Sequence, residues 1–215
     1  MYKNHFKRIM DIIFGLILLV VAVIPMGIAM ILILTEGRGC VIFKQRRVGK
    51  DGKVFNIYKL RTMLTKTHHK DGRELTHEER VTKLGRFLRK TSIDELPQVF
   101  NILKGDMSFV GPRPWMEDYF HFFTKEQKRR AEVKPGITGW AQVKGRNAIN
   151  ILEKINYDIW YVENVSFKLD IKILILTALT VLSRHGVEIS QEGIKEEIRT
   201  LKEHKAVSKE SKVHI

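Results

Sequence analysis

Two carboxylates stand side by side at Asp94 and Glu95 in the stretch TSIDELPQVFNILKG, Thr91 to Gly105. Arg86, Arg89 and Lys90 come just before them, and Arg113 follows in GDMSFVGPRP. Arginine binds non-bridging phosphate oxygens in a bidentate fork. A carboxylate among such groups can attack phosphorus, while its neighbour holds a divalent metal or manages a proton. The same stretch also has the grammar of an ordinary helix. Leu96, Val99, Phe100 and Leu103 share one helical face. Pro97 suits a first turn and Gly105 the position past the end. Ser92 and Glu95 have capping-box spacing. By spacing alone the acidic pair is a helix start, a site, or both.

Other candidate groups carry less. His68 and His69 in HHKDGRE have the residue type of metal ligands, but a polar loop predicts solvated side chains. GKDG at 49–52 lacks the Walker pattern and reads as a hairpin turn, and neither G-x-S-x-G nor H-E-x-x-H occurs. Cys40 is the single cysteine, which excludes an intrachain disulfide and a cysteine-rich zinc site. Trp140, Trp160, Tyr157 and Tyr161 read mainly as core.

The elements that must position the acidic pair follow from periodicity. VIFKQRRVGKDGKVFNIYKLRTM predicts two strands around the 49–52 turn, the second with Phe55, Ile57 and Lys59 on one face and Asn56, Tyr58 and Leu60 on the other. EERVTKLGRFLRK places Val81, Leu84 and Leu88 at helical spacing beneath a basic surface. Asn150 to Tyr161 predicts another helix, and Ile194, Ile198 and Leu201 a short amphipathic one. With 215 residues there is enough chain for a buried core. A net charge of +14 points to anionic partners: nucleic acid, anionic lipid head groups or phosphorylated substrates. No nucleic-acid-binding signature accompanies that charge.

Ile12 to Leu34 is an uncharged run of 23 residues, long enough to span a bilayer if straight. Pro25 near its middle predicts a break, leaving arms of about 20 and 14 Å, each shorter than a ~30 Å hydrocarbon core. Lys3, Lys7 and Arg8 precede the run, and Arg38, Lys44, Arg46 and Arg47 follow it. Basic flanks on both sides predict that both ends stay cytoplasmic, so a re-entrant hairpin is favoured over a span. A second apolar run, Ile171 to Leu182, is too short to cross and fits either a core helix or an interfacial one.

Five stretches, taken in order, resemble the bacterial sugar transferase family, the small monotopic phosphoglycosyl transferases. They are KRIMD, FKQRRVGKDGKVFNIYKLRTM, LGRFLRKTSIDELPQVFNILKGDMSFVGPRP, VKPGITGWAQVKGRN and YDIWYVENVSFKLDIKILILT, together covering about Lys7 to Thr177. The resemblance implies transfer of a phosphosugar from a UDP-sugar to a polyprenyl phosphate such as undecaprenyl phosphate, with release of UMP, as the first membrane step of surface glycan assembly. It implies Asp94 as nucleophile on the β-phosphate, Glu95 in support, and Mg²⁺ held by the pair. Lys59, Arg89 and Arg113 fall on basic substrate-site positions of the family. Arg146 and Asp158 fall in further motifs, as substrate-site positions of undefined role. KLRTM stands where KFRTM is typical, and Lys144 where Asn is common.

The implied architecture is α+β and mainly helical. A basic flank and re-entrant membrane hairpin (1–36) broken at Pro25 leads into a catalytic domain (37–185) with a small β-hairpin and interfacial amphipathic helices. A polar C-terminal extension (186–215) follows. The implied location is the cytoplasmic face of the bacterial inner membrane, in contact with anionic lipid head groups. Nucleic acid is not an expected partner, and homo-oligomerisation is left open.

Overall fold

The apolar run folds as one helix, α1 (Lys7–Thr35), in a computed structural model that describes residues 2–37, 39–69, 71–145, 149–182 and 191–210. Where the sequence predicts two arms parted at Pro25, α1 continues through the proline, which bends or weakens a helix without having to end it. Asp11, Gly15, Ala22, Met26, Ala29 and Ile33 form its single buried stripe. They recur at steps of three, four and seven, the spacing of one helical face. The opposite face exposes Ile13, Ile17, Val20, Val21, Ile24, Ile28 and Ile31. Among the described residues α1 alone is long and apolar enough to cross a membrane.

Both ends of α1 are pinned to the rest of the chain. Near its start, the Arg8 guanidinium donates to the carbonyls of Ile102 (2.5 Å) and Leu103 (2.7 Å). These belong to the last turn of α4 (Gln98–Lys104), where free carbonyls and the helix dipole favour a cation. At the other end, Arg61 donates to the carbonyls of Ile33 (3.0 Å) and Gly37 (2.8 Å).

The hairpin forms as expected. β1 (Ile42–Val48) pairs antiparallel with β2 (Val54–Leu60), Phe43 opposite Lys59. Both faces of β2 are used: Leu60 packs with Met26, Ala29 and Ile33 of α1, and Ile57 with Ile102 and Met107. A second sheet escaped sequence reading. β3 (Ser108–Val110) and β4 (Gly136–Thr138) pair in parallel, each only three residues long.

The helical expectation for EERVTKLGRFLRK is corrected in detail. α2 (His77–Arg80) ends before Val81, which is extended and bridges to Met63, and α3 (Lys83–Thr91) restarts behind the Thr82 cap. α5 (Glu117–Phe120) and α6 (Trp140–Lys144) are short, whereas α7 (Ile151–Glu163) opens on a full Asn150–Glu153 capping box. α8 (Phe167–Leu182) answers the core-or-surface question both ways. Ile173 is fully buried beside Trp140 and Tyr161, while Ile175 and Leu179 face outward. The last helix, α9 (Gln191–Glu210), packs Ile198 and Leu201 against Tyr119, Phe123, Ile151 and Ile155. The protein is thus mostly helical, with two small sheets and one apolar N-terminal helix.

Candidate active site

Asp94 and Glu95 sit on a 3₁₀ turn (Ile93–Glu95) between α3 and α4. The predicted capping box is absent here. Ser92 closes α3 with φ at 58° and makes no side-chain cap, and Glu95 turns to other partners. A non-glycine residue in the left-handed region is strained, and such residues gather at functional sites. The reversal it produces points both carboxylates into a cleft of about 1290 Å³.

The two neighbours are held differently. Lys59 Nζ (2.6 Å) and an Arg113 Nη (3.0 Å) both donate to Oε1 of Glu95. Burial pushes Glu95 up, but Arg113 and Lys59 outweigh it and hold the carboxyl well below the usual range. Arg113 is raised in turn by Glu95. Asp94 is 7% exposed and, among the described residues, has no cation at bonding distance. Burial pushes it up to about 6. Glu95 adds to the rise, and Lys59, Arg89 and Arg113 oppose it from further away. The pair is therefore one fixed anion beside one carboxylate poised near neutrality.

Close backbone packing aims the cations. In α3, a Cβ at Gly85 would lie 2.0 Å from the Thr62 carbonyl oxygen, so only glycine lets the helix press against the end of β2. Arg89 Nε then reaches Thr62 Oγ1 at 2.9 Å and its side chain lines the cleft. The loop carrying Arg113 lies backbone to backbone on the start of β4. Gly111 N–H donates to Thr138 and Gly136 N–H to the Pro112 carbonyl, where side chains would collide.

Asp158 also lines the cleft, but as a structural anchor. Its Oδ2 accepts two bonds from Arg130, at 2.6 and 3.0 Å, in a pair that is almost wholly buried. Burial raises the Asp158 carboxyl and Arg130 opposes the rise. Arg130 also donates to the Arg113 carbonyl at 2.7 Å, so this pair supports the loop that brings Arg113 to Glu95. Among the described residues, Oδ1 of Asp158 is buried without a bonding partner.

Of the residues the sequence singles out, the structure brings Asp94, Glu95, Lys59, Arg89, Arg113 and Asp158 to one cleft. Arg146 lies outside the described residues, and Pro25 sits within α1, away from the cleft lining. Sequence reasoning missed Arg130, hidden in the basic run KEQKRRAE, whose local pattern is that of a solvated surface. It also missed Arg47 at this cleft. Burial and the like charge of Arg113 pull that guanidinium down to about 10, Glu95 opposes the fall, and Nε is buried without a bonding partner among the described residues. No group of three or more His, Cys, Asp or Glu comes together among the described residues. The acidic pair fits Mg²⁺ all the same, since that ion is commonly held by one or two carboxylates with phosphate and water completing its shell.

The cleft thus holds a buried acidic pair ringed by cations, with the apolar helix α1 packed against the turn that carries it. The family model for bacterial sugar transferases matches residues 2–184, and the chain belongs to that family. It is 56% identical over 148 residues to EpsL, an uncharacterised sugar transferase of Bacillus subtilis, covering 69% of this chain and 73% of the relative. It is 38% identical over 200 residues to the undecaprenyl-phosphate galactose phosphotransferase of Salmonella typhimurium, covering 86% of this chain and 42% of that protein. With the UDP-glucose:undecaprenyl-phosphate glucose-1-phosphate transferase of Escherichia coli it shares 42% identity over 181 residues, 80% of this chain and 39% of the relative. The chain thus spans about two fifths of the length of the latter two proteins.

Proposed function

We propose that this chain transfers a phosphosugar from a UDP-sugar to a polyprenyl phosphate through a covalent intermediate on Asp94. An oxygen of the ionised Asp94 attacks the β-phosphorus, the bond to the bridging oxygen breaks, and UMP leaves. An oxygen of the polyprenyl phosphate then attacks the same phosphorus and expels the Asp94 carboxylate. Two steps keep the two anionic substrates from having to meet directly. Arg113 and Lys59 neutralise Glu95 and face the diphosphate, with Arg89 and Arg47 on the same cleft. Mg²⁺, held by Asp94 and Glu95, would supply further neutralisation of phosphate charge. The observation that carries this reading is the division between the adjacent carboxylates: Glu95 is clamped by two cations, and Asp94 is buried with no direct pair among the described residues.

The packing of α1 supports a monotopic arrangement at the cytoplasmic membrane face. Its buried stripe runs from Asp11 to Ile33, roughly 33 Å of helix at 1.5 Å per residue, with Asp11 bonded to Ser108 and Phe109 at one end and Met26, Ala29 and Ile33 packed on Leu60 and Leu88 at the other. A helix crossing the bilayer along that length would draw its packed partners into hydrocarbon. An α1 laid into one leaflet exposes its apolar outer face to lipid.

The test is nucleotide release from a panel of UDP-sugars with undecaprenyl phosphate and Mg²⁺ in detergent. UMP formed by the wild type and not by Asp94→Asn is the expected result, together with a phosphosugar adduct on Asp94 by mass spectrometry when the lipid is withheld. Release of UDP would mean ordinary glycosyl transfer and would overturn the mechanism.

A further inference from the structure

The family match ends at residue 184, and α9 lies wholly beyond it. The helix is nevertheless docked on the site. Leu201 is fully buried among Tyr119, Ile151 and Ile155, Lys205 Nζ donates to the His121 carbonyl at 2.5 Å, and Lys202 lies 4.9 Å over the Phe122 ring. This docking places Glu197 2.8 Å from Lys154 Nζ of α7, with both side chains mostly buried and both lining the cleft that holds Asp94. Lys154 lies one helical turn from Asp158, whose free Oδ1 is buried. Trp115 and Tyr119 line the same cleft.

We propose that α9 completes the substrate cleft and that Glu197, held by Lys154, is a specificity-determining residue that accepts hydrogen bonds from hydroxyl groups of the UDP-sugar. The inference rests on the phosphosugar-transfer reading above. Charge sorts the cleft. Arg47, Lys59, Arg89 and Arg113 suit a diphosphate, whereas Glu197 and Asp158, each already paired with a cation, offer acceptor oxygens rather than positive charge. Carboxylate oxygens complement hydroxyl donors, and the neighbouring ammonium adds a donor, so one small region can read both faces of a hydroxyl. The indole of Trp115 and the ring of Tyr119 add flat apolar surface for a sugar or nucleoside ring. Tyr119 agrees with this placement: burial first, and then the Glu197 carboxylate, push its hydroxyl up to about 12 against the pull of Arg47. Like any phenol titrating far above pH 7, it is a neutral donor at physiological pH. A sugar epimer with a misplaced hydroxyl leaves buried acceptors unpaired, which is how polar sites discriminate strongly.

The experiment compares full-length wild type, Glu197→Gln, Lys154→Gln and, as a control on the exposed side of the same helix, Glu203→Gln, which loses its exposed pair with Arg199. KM and kcat are measured for two epimeric UDP-sugars and for polyprenyl phosphate, with UDP as competitor. Thermal unfolding verifies that each variant is folded. Glu197→Gln is expected to raise KM for the preferred UDP-sugar about tenfold and to narrow the kcat/KM ratio between epimers. KM for polyprenyl phosphate and the Glu203→Gln values stay at wild-type levels. Unchanged inhibition by UDP assigns the hydroxyls to the sugar. Inhibition weakened in step assigns them to the ribose of the same substrate. Should Glu197→Gln fail to fold, Lys154→Gln reads the pair from α7. A folded Glu197→Gln with unchanged KM and epimer ratio overturns the proposal. Failure of wild type to release UMP would sink the transfer reading instead. Calorimetric titration with UDP-sugars then still decides this one, tighter binding by wild type than by Glu197→Gln supporting it and equal or absent binding overturning it.

Discussion

Asp94 and Asp158 are both buried aspartates on the wall of one cleft, and the protein treats them in opposite ways. Asp158 meets Arg130 through two short bonds, and the pair is spent on holding the Arg113 loop. Asp94 is buried close to Lys59, Arg89 and Arg113 without bonding to any of them. Burial raises both carboxyls; at Asp158 a guanidinium at bonding distance opposes the rise, whereas at Asp94 the cations oppose it from further away. One aspartate is thus spent on structure, and the other has no cation at bonding distance among the described residues.

Asp94→Asn sharpens that contrast most. Loss of the nucleophile should cut UMP release by about 10³-fold or more. The same change should stabilise the fold. A carboxyl raised from 3.8 to about 6 on folding favours the folded state fully below pH 4, and that advantage is lost as pH rises through 6. The neutral Asn lacks this cost, so at pH 7 the variant should gain up to about 3 kcal/mol and at pH 4 little. Denaturant melts at both pH values measure it. An equal or lower stability at pH 7 would break the comparison from the Asp94 side.

Asp158→Ala tests the other side. It strands Arg130 in the interior and should cost about 3–5 kcal/mol. A double change of Asp158 and Arg130 to well-packed apolar residues should recover much of that stability, though not the Arg113 loop position, so activity stays low. Recovery of full activity along with stability would mean that the pair does not position Arg113.

Lys59→Met comes next. Lys59 is the largest force lowering Asp94, so its removal moves the Asp94 carboxyl further up. Activity in the wild type should fall as pH drops through about 6, where Asp94 takes up its proton. In Lys59→Met that acid limb should shift to higher pH, with kcat reduced about tenfold or more. A limb that stays in place would show that another group sets it. The smallest effect belongs to Glu79→Gln, which breaks an exposed pair with Arg73 and should leave activity and unfolding midpoint at wild-type levels.

The hairpin, the long apolar helix and α7 were legible because each is encoded locally, by alternation, by an uncharged run, and by 3.6-residue spacing behind a capping residue. Parallel β3–β4 was not legible, since three-residue strands joined by more than twenty residues carry no periodic signal. The Ser92–Glu95 capping box misled for a related reason. The pattern favours a cap, but Lys59 and Arg113 offered Glu95 a stronger electrostatic partner, and Ser92 took up the C-cap of the preceding helix. In the site, residue types and the resemblance picked out Asp94, Glu95 and the cations, whereas Arg130 and Glu197 were invisible until distant elements met.

What the sequence by itself determined is the inventory: an apolar stripe long enough to seek lipid, a strong positive charge, an acidic pair among arginines, and the local hydrogen-bonding preferences that start most helices. Only the tertiary structure decided which carboxylate is clamped, which is buried with no described cation at bonding distance, and which is spent as a buried ion pair. It also decided that α1 runs through Pro25 as one helix, and that α9 returns to wall the cleft. The physical reason is range. Propensity and periodicity act over a few residues, while desolvation and ion pairing depend on which groups the fold brings within a few ångströms, whatever their separation along the chain.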